Sequence, residues 1–300
     1  MNASSWRELF RLARPWVLLG CILFYALGAG IAHFLARSID FSTYLIGQAC
    51  VLLLALSSAY LSEYFSMLEN PVLRRNQNGG RTPEEFIWLR NGLIEAAAVA
   101  LTVGAALTVL LFTRGAGNAT VVIFLGAAFL LAFFYAVPPF RLAKNGYGEL
   151  TTALFLTGIT PALAYVLQTG ETHRLLLLLT FPMTAMFIAA SLAVGLETYY
   201  DDIKEGRQTL MVSVGWQRGM NLHNWMILLS YSLIGLAALL RLPWRLTWPM
   251  LLTAPIGIFQ IWQMWQISNG QKPRWRLLRI TALASLGMMA YFIAFALWTG

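Results

Sequence analysis

At 300 residues, with 58% hydrophobic side chains, 11% charged side chains and a mean hydropathy of +0.64, the chain is too apolar for a soluble domain, which typically carries about 25% charged residues. Its apolar runs have the length of membrane-spanning helices and lack the alternation of a membrane barrel, so the expected class is an all-α, polytopic helix bundle in the lipid bilayer. The net charge of +8 is dispersed over the loops between apolar runs. That pattern speaks for membrane topology and against a nucleic-acid partner.

In chain order, residues 2–14 place Arg7, Arg11 and Arg14 on one helical row and Trp6, Phe10 and Ala13 on another. This is the pattern of an interfacial helix. The run that follows is long enough to span, so residues 1–14 are read as part of the protein and not as a secretory signal. Nine spans are expected, at about 16–36, 43–65, 89–113, 119–137, 149–168, 175–197, 220–240, 246–266 and 278–298, making one membrane domain over 1–300. With the N-terminus placed in the cytoplasm, 16 of the 21 Lys and Arg residues fall on the cytoplasmic side and five on the other. Basic bias sets orientation, so the expected topology is N-terminus in and C-terminus out. Cys21 and Cys50 fall in the first two runs and read as core residues. Arg90 and Glu95, early in the third run, are ionisable groups at or inside the membrane, where such residues usually face the protein interior.

Three polar segments on the expected cytoplasmic face stand out. After the second span, Glu63, Ser66 and Asn70 share a helical face, and Arg74, Arg75, Asn76 and Arg81 follow in a glycine-containing loop suited to holding an anion. A basic loop with no ligand is the alternative on residues alone. After the fourth span, Tyr135 to Glu149 contains Pro138 and Pro139, which end the helix, and Arg141 and Lys144, which offer further anion contacts. After the sixth span, four of the 13 acidic residues lie within nine positions: Glu197, Asp201, Asp202 and Glu205. A continued helix shows Glu197, Asp201 and Glu205 as one row and Thr198 with Asp202 as its neighbour. Carboxylates this close repel unless a cation sits among them. Oxygen ligands suit Mg²⁺, which binds through one or two carboxylates plus substrate phosphates. Lys204 and Arg207 then read as phosphate partners, with a solvated inter-helix loop as the alternative.

Taken together, these segments resemble the UbiA family of intramembrane aromatic prenyltransferases, over nearly the whole chain. The resemblance rests on Arg14-Pro15, the nine spans and the acidic exit after the second span. It also rests on the Tyr-x-x-Pro-Pro-x-Arg-x-x-x-x-Gly-x-Gly-Glu stretch from Tyr135 to Glu149, and on Asp202-x-x-x-Gly206-Arg-Gln-Thr-Leu210. Gly-Tyr-Gly-Glu, Gly-Arg-Gln-Thr-Leu and Tyr165-Val-Leu-Gln-Thr-Gly170 are most similar to the branch that prenylates dihydroxynaphthoate in quinone synthesis.

The resemblance implies a nine-helix bundle that moves an isoprenyl group from a polyprenyl diphosphate to an aromatic acceptor with Mg²⁺. Glu63 and Asp202 are the implied catalytic carboxylates. Glu63, Asn70, Glu197, Asp201 and Asp202 are the candidate metal ligands. Arg74, Arg75, Asn76, Arg81, Arg141, Lys144, Lys204 and Arg207 are the candidate substrate contacts. The first acidic motif departs from the family pattern, since Ser66 and Asn70 stand where aspartates are usual and only Glu63 keeps its charge. In the second, Thr198 takes the leading aspartate's place and Asp202 the trailing one's. A non-catalytic relative that binds an isoprenoid or quinone, or scaffolds a partner, is therefore the alternative reading.

Overall fold

The computed structural model describes residues 3–69 and 82–299, with side chains from Arg7 onward. Helix α1, Ala3–Leu12, lies with Leu9 and Leu12 against Tyr60, Phe86, Leu89 and Leu93, while Phe10 remains 66% exposed. The expected interfacial segment thus has one face packed on the bundle and one turned outward. Pro15, whose fixed φ suits the first helical position, opens α2, Pro15–Phe34. Next come α3, Phe41–Glu69, and α4, Pro83–Ala116, which starts with a capping box between Thr82 and Glu85. Helix α5, Ala119–Ala136, is capped by Asn118 and ends just before the paired prolines, as the sequence predicts.

Helix α6, Gly148–Thr169, is interrupted by a π-helical stretch from Leu154 to Ile159. The wide turn is stitched by the Thr160 hydroxyl, which donates to the Phe155 carbonyl at 2.8 Å, and by a 2.7 Å hydrogen bond between the Thr157 and Thr184 hydroxyls. Helix α7, Arg174–Lys204, carries the second acidic segment on its last turns. The short α8, Leu210–Val214, leads into α9, Trp216–Leu239.

The expected eighth span, 246–266, is divided. Helix α10, Trp244–Leu251, and helix α11, Ala254–Ser268, are joined through Leu252 and Thr253, with Pro249 and Pro255 on either side. Eight helices among the described residues are therefore individually long and apolar enough to span. The broken pair nonetheless runs antiparallel to α12, Trp275–Trp298. At one end Arg245 donates to the Thr299 carbonyl at 2.8 Å, and at the other Gln260 and Gln263 reach Thr281. A proline removes a backbone donor and clashes with the preceding turn, which accounts for the break in an otherwise continuous apolar run.

Packing brings α3 and α7 to one polar end of the bundle. Helix α3 lies along α4 and α5, α7 along α9 and α12, and α2 with α6 joins the two groups. At the α2–α6 crossing a Cβ on Gly28 would stand 2.1 Å from the Pro161 carbonyl oxygen, so only glycine permits this approach. Cys21 and Cys50 are free thiols in the core, and Arg90 is half-buried. Glu95 lies on an exposed face of α4 and not on the interior face expected of a charge in a span.

Candidate active site

The last turns of α3 and α7 open onto one polar cavity of about 440 Å³. From α3 come Ser62, Glu63 and Ser66; from α7 come Thr198 and Asp202, followed by Glu205 in the turn after the helix. These sets share a face because positions four and seven apart in a helix lie nearly above one another. Asp202 is 5% exposed and accepts a 2.7 Å hydrogen bond from the Thr198 hydroxyl, which fixes its rotamer. Arg207 spans two carboxylates, lying 3.9 Å from Asp202 Oδ1 and 2.7 Å from Glu205 Oε2.

On the opposite wall Arg14 takes a left-handed backbone, φ +54°, at the start of α2. Its guanidinium sits 5.4 Å over the Tyr135 ring, donates to the Tyr135 hydroxyl and lies 3.6 Å from Glu63 Oε1. The Tyr135 phenol, then the Glu63 carboxylate, raise the Arg14 pKa against the opposing effect of burial. Glu63 is thereby held at the rim with a cation behind it.

The 141–149 segment and the turn after α7 build the remaining wall together. Arg141, with φ +35° and only 6% exposed, pairs with Glu69, the last described residue of α3, and Lys144 pairs with the same carboxylate. Asn145 and Gln208 form an isolated parallel bridge. Glu149 accepts from the Leu210 amide at 3.2 Å, and Thr209 caps α8 by accepting from the Val212 amide at 3.3 Å. Gly146, at φ +81°, lies where a Cβ would stand 2.3 Å from Ser213 Oγ, which explains the glycine in this stretch.

Below the polar cavity the lining changes character. Arg14, Tyr135 and Thr152 also border a narrow crevice of about 40 Å³ between Ala55, Ala59, Leu131, Ala132 and Phe155. The charged mouth thus adjoins a small apolar crevice. A separate apolar groove of about 640 Å³, sharing no lining residue with either, lies between α3, α4 and α5, with Leu54, Leu101 and Leu125 in its wall.

Of the expected site residues, Glu63, Arg141, Lys144, Asp202 and Arg207 line the polar cavity. Glu197, Asp201 and Lys204 do not. Successive helical residues are turned by about 100°, so pointing Thr198 and Asp202 inward turns Glu197 and Asp201 away, while Glu205, the third member of that row, lies past the helix end and comes back to the cavity. Glu197 instead lies 3.6 Å from Arg279 of α12, and Asp201 and Lys204 are exposed. Asn70, Arg74, Arg75, Asn76 and Arg81 lie outside the described residues. Arg14, Tyr135, Glu149 and Glu205 join the cavity without having been singled out as site residues. Glu205 had a readable signal, since it stands seven residues after Thr198 and thus on its face; Glu69, which clasps the 141–144 turn, had none.

The donor set suits a hard cation held jointly with a substrate. No group of three or more His, Cys, Asp or Glu side chains among the described residues forms a closed metal cage. Glu63 and Asp202 face one cavity with the Ser62, Ser66 and Thr198 hydroxyls around them, the few-carboxylate arrangement in which Mg²⁺ keeps waters and takes substrate phosphates as its other ligands.

The comparisons with known proteins agree with this architecture. The model of the UbiA prenyltransferase family matches residues 23–286. A curated relative, the chloroplastic 2-carboxy-1,4-naphthoquinone phytyltransferase of Arabidopsis thaliana, is 30% identical over 182 residues, which is 56% of this chain and 46% of that protein. The match therefore spans less than half of the relative's length. Among solved structures, a digeranylgeranylglyceryl phosphate synthase superposes with a TM-score of 0.65 at 16% identity, over 99% of this chain and 98% of the other. A UbiA homolog from Archaeoglobus fulgidus, bound to GPP and Mg²⁺, gives a TM-score of 0.61 at 17% identity, over 98% of this chain and 100% of that one. At such identities the superpositions carry the fold, an intramembrane helix bundle. With the family model covering most of its length, the chain belongs to the UbiA prenyltransferase family.

Proposed function

We propose that this protein transfers an isoprenyl group from a polyprenyl diphosphate to an aromatic, quinone-precursor-like acceptor, with Mg²⁺ as cofactor, and that the chain acts as one functional domain. The observation that carries this reading is the meeting of the α3 and α7 polar ends around one charged cavity that adjoins a small apolar crevice. An amphiphile with a multiply charged head and a hydrocarbon tail fits such a gradient, and a soluble substrate does not. The relative named as a naphthoquinone phytyltransferase and the homolog bound to GPP and Mg²⁺ support both donor class and acceptor class.

In this reading Glu63 and Asp202 would hold the metal together with the substrate phosphates, with Thr198 orienting Asp202. When bound there, Mg²⁺ would supply charge neutralisation to the departing diphosphate. Arg141, Lys144 and Arg207 share that task as guanidinium and ammonium partners of the phosphate oxygens. Arg14 and Tyr135 mark the junction of head and tail, where the Tyr135 ring offers its face to developing positive charge on the allylic carbon. The acceptor's aromatic carbon then forms the new C–C bond and its proton leaves to solvent or a rim carboxylate. The polar mouth lies on the cytoplasmic side, where the division of basic residues puts it.

The test is product formation. Purified protein with an isoprenyl diphosphate, Mg²⁺ and a panel of dihydroxynaphthoate-like and hydroxybenzoate-like acceptors is expected to yield a prenylated acceptor of the former class with release of diphosphate. Binding of the donor with no product from any acceptor under Mg²⁺ refutes the enzymatic reading and leaves a binding protein.

A further inference from the structure

Glu69 occupies an unusual position. It is the last described residue of α3, and its carboxylate holds both Arg141 and Lys144, two cations that line the polar cavity. Across the chain, Arg141 is held with its side chain 7% exposed and a left-handed backbone, while Glu69 and Lys144 are about 40% exposed. One carboxylate facing two cations leaves the cluster positive.

Resting on the function proposed above, we propose that Glu69 is a positioning residue that stands in for the donor's diphosphate in the empty enzyme and is displaced by it. In the unliganded state it keeps the 141–144 turn folded toward α3 and prevents the Arg141 guanidinium from being buried without a partner, which is costly in any low-dielectric setting. Diphosphate carries more negative charge than a carboxylate and approaches from the cavity side. It takes over Arg141 and Lys144, and Glu69 swings to the rim, where it is already partly exposed. The α3 end, the 141–149 segment and, through the Asn145 to Gln208 bridge, the turn carrying Arg207 thereby respond to the same ligand. Because the mouth is kept together by a displaceable contact, affinity for the leaving group is deliberately lowered, which favours release of product diphosphate.

The experiment is direct binding of inorganic diphosphate in Mg²⁺ to detergent-solubilised full-length protein, for wild type, E69Q, E69D, the double variant R141Q/K144Q and the triple variant that adds E69Q. Displacing two partly exposed ion pairs weakens binding by roughly five- to tenfold, so E69Q is expected to bind diphosphate tighter by that factor, to show a lower KM for the donor and to be inhibited more strongly by product diphosphate. E69D, shorter but still charged, falls between the two and carries the same prediction if E69Q does not yield folded protein. In the R141Q/K144Q background the effect of E69Q disappears. Unchanged or weaker binding by E69Q overturns the proposal, as does a tightening that persists without Arg141 and Lys144. Wild type that turns over donor normally while E69Q is indifferent sinks this inference alone; wild type and E69Q that bind no diphosphate at all overturn it together with the reading on which it rests.

Discussion

Replacing Asp202 by Asn separates a structural carboxylate from a functional one. In the folded protein Asp202 is 5% exposed, accepts the Thr198 hydroxyl at 2.7 Å and lies 3.9 Å from Arg207. The asparagine side chain keeps the oxygen that Thr198 needs. The lost attraction to Arg207 is modest, because that guanidinium is 48% exposed and retains Glu205 at 2.7 Å. Stability should therefore change by no more than about 1 kcal/mol, the scale of an exposed ion pair. Catalysis should respond differently: removal of one preorganised electrostatic group from a transition-state site costs on the order of 10²–10³ in kcat, and Asp202 is the most buried carboxylate of the cavity. Diphosphate release from an isoprenyl diphosphate, followed over a range of Mg²⁺ concentrations beside a thermal unfolding scan, reads both quantities. Thr198→Val, which leaves the charge but frees its rotamer, should cost less, about a factor of ten from one hydrogen bond to a charged group. Equal loss of stability and activity in Asp202→Asn, or turnover indifferent to both Mg²⁺ and Asp202, refutes the assignment.

Glu197→Gln and Asp201→Asn, whose side chains lie outside the cavity, should stay within about twofold of wild type in diphosphate release, since exposed charges of this kind contribute little. Ser66→Asp, on the cavity face of α3, should lower the Mg²⁺ concentration for half-maximal activity, by about tenfold if the new carboxylate contributes on the scale of a charged hydrogen bond; an unchanged Mg²⁺ dependence contradicts the placement. Gly28→Ala should destabilise the bundle by about 1–3 kcal/mol through overpacking, visible as a lower melting temperature in detergent, because the obstructing atoms belong to the Pro161 backbone. Gln260→Leu should cost about 1–2 kcal/mol, as it breaks the buried link between His223 at 3.1 Å, the Thr281 carbonyl at 2.7 Å and Ser285 at 3.0 Å; unchanged stability in denaturant titration contradicts it.

The membrane fold was readable because a span is long, apolar and bounded by basic loops, and lipid leaves the backbone few alternatives to a helix. The division of the eighth run into α10 and α11 was less so, although Pro249 and Pro255 were in view, because hydropathy measures apolar length and not continuity. At the site, helical periodicity correctly gathered Glu63 with Ser66 and Thr198 with Asp202. It could not decide which of two adjoining rows on α7 faces inward, since both carry carboxylates and the choice is made by packing against α9 and α12. Arg279, which draws Glu197 outward, comes from a helix some 80 residues later in the chain. Arg14 and Tyr135 likewise meet across 121 positions, and Glu69 meets Lys144 across 75. Such pairings depend on how helices are arranged around one another, which local spacing does not encode.

The central claim is that the ends of α3 and α7 form one metal-assisted site for a diphosphate. The most direct measurement is release of diphosphate from an isoprenyl diphosphate by the purified wild-type protein, with a dihydroxynaphthoate-like acceptor, as Mg²⁺ is titrated and then removed by a chelator. Turnover is expected to rise with Mg²⁺, fall to background on chelation and return when Mg²⁺ is restored. Turnover that continues unchanged in the chelator, or none at any Mg²⁺ concentration in folded protein that binds the donor, contradicts that claim.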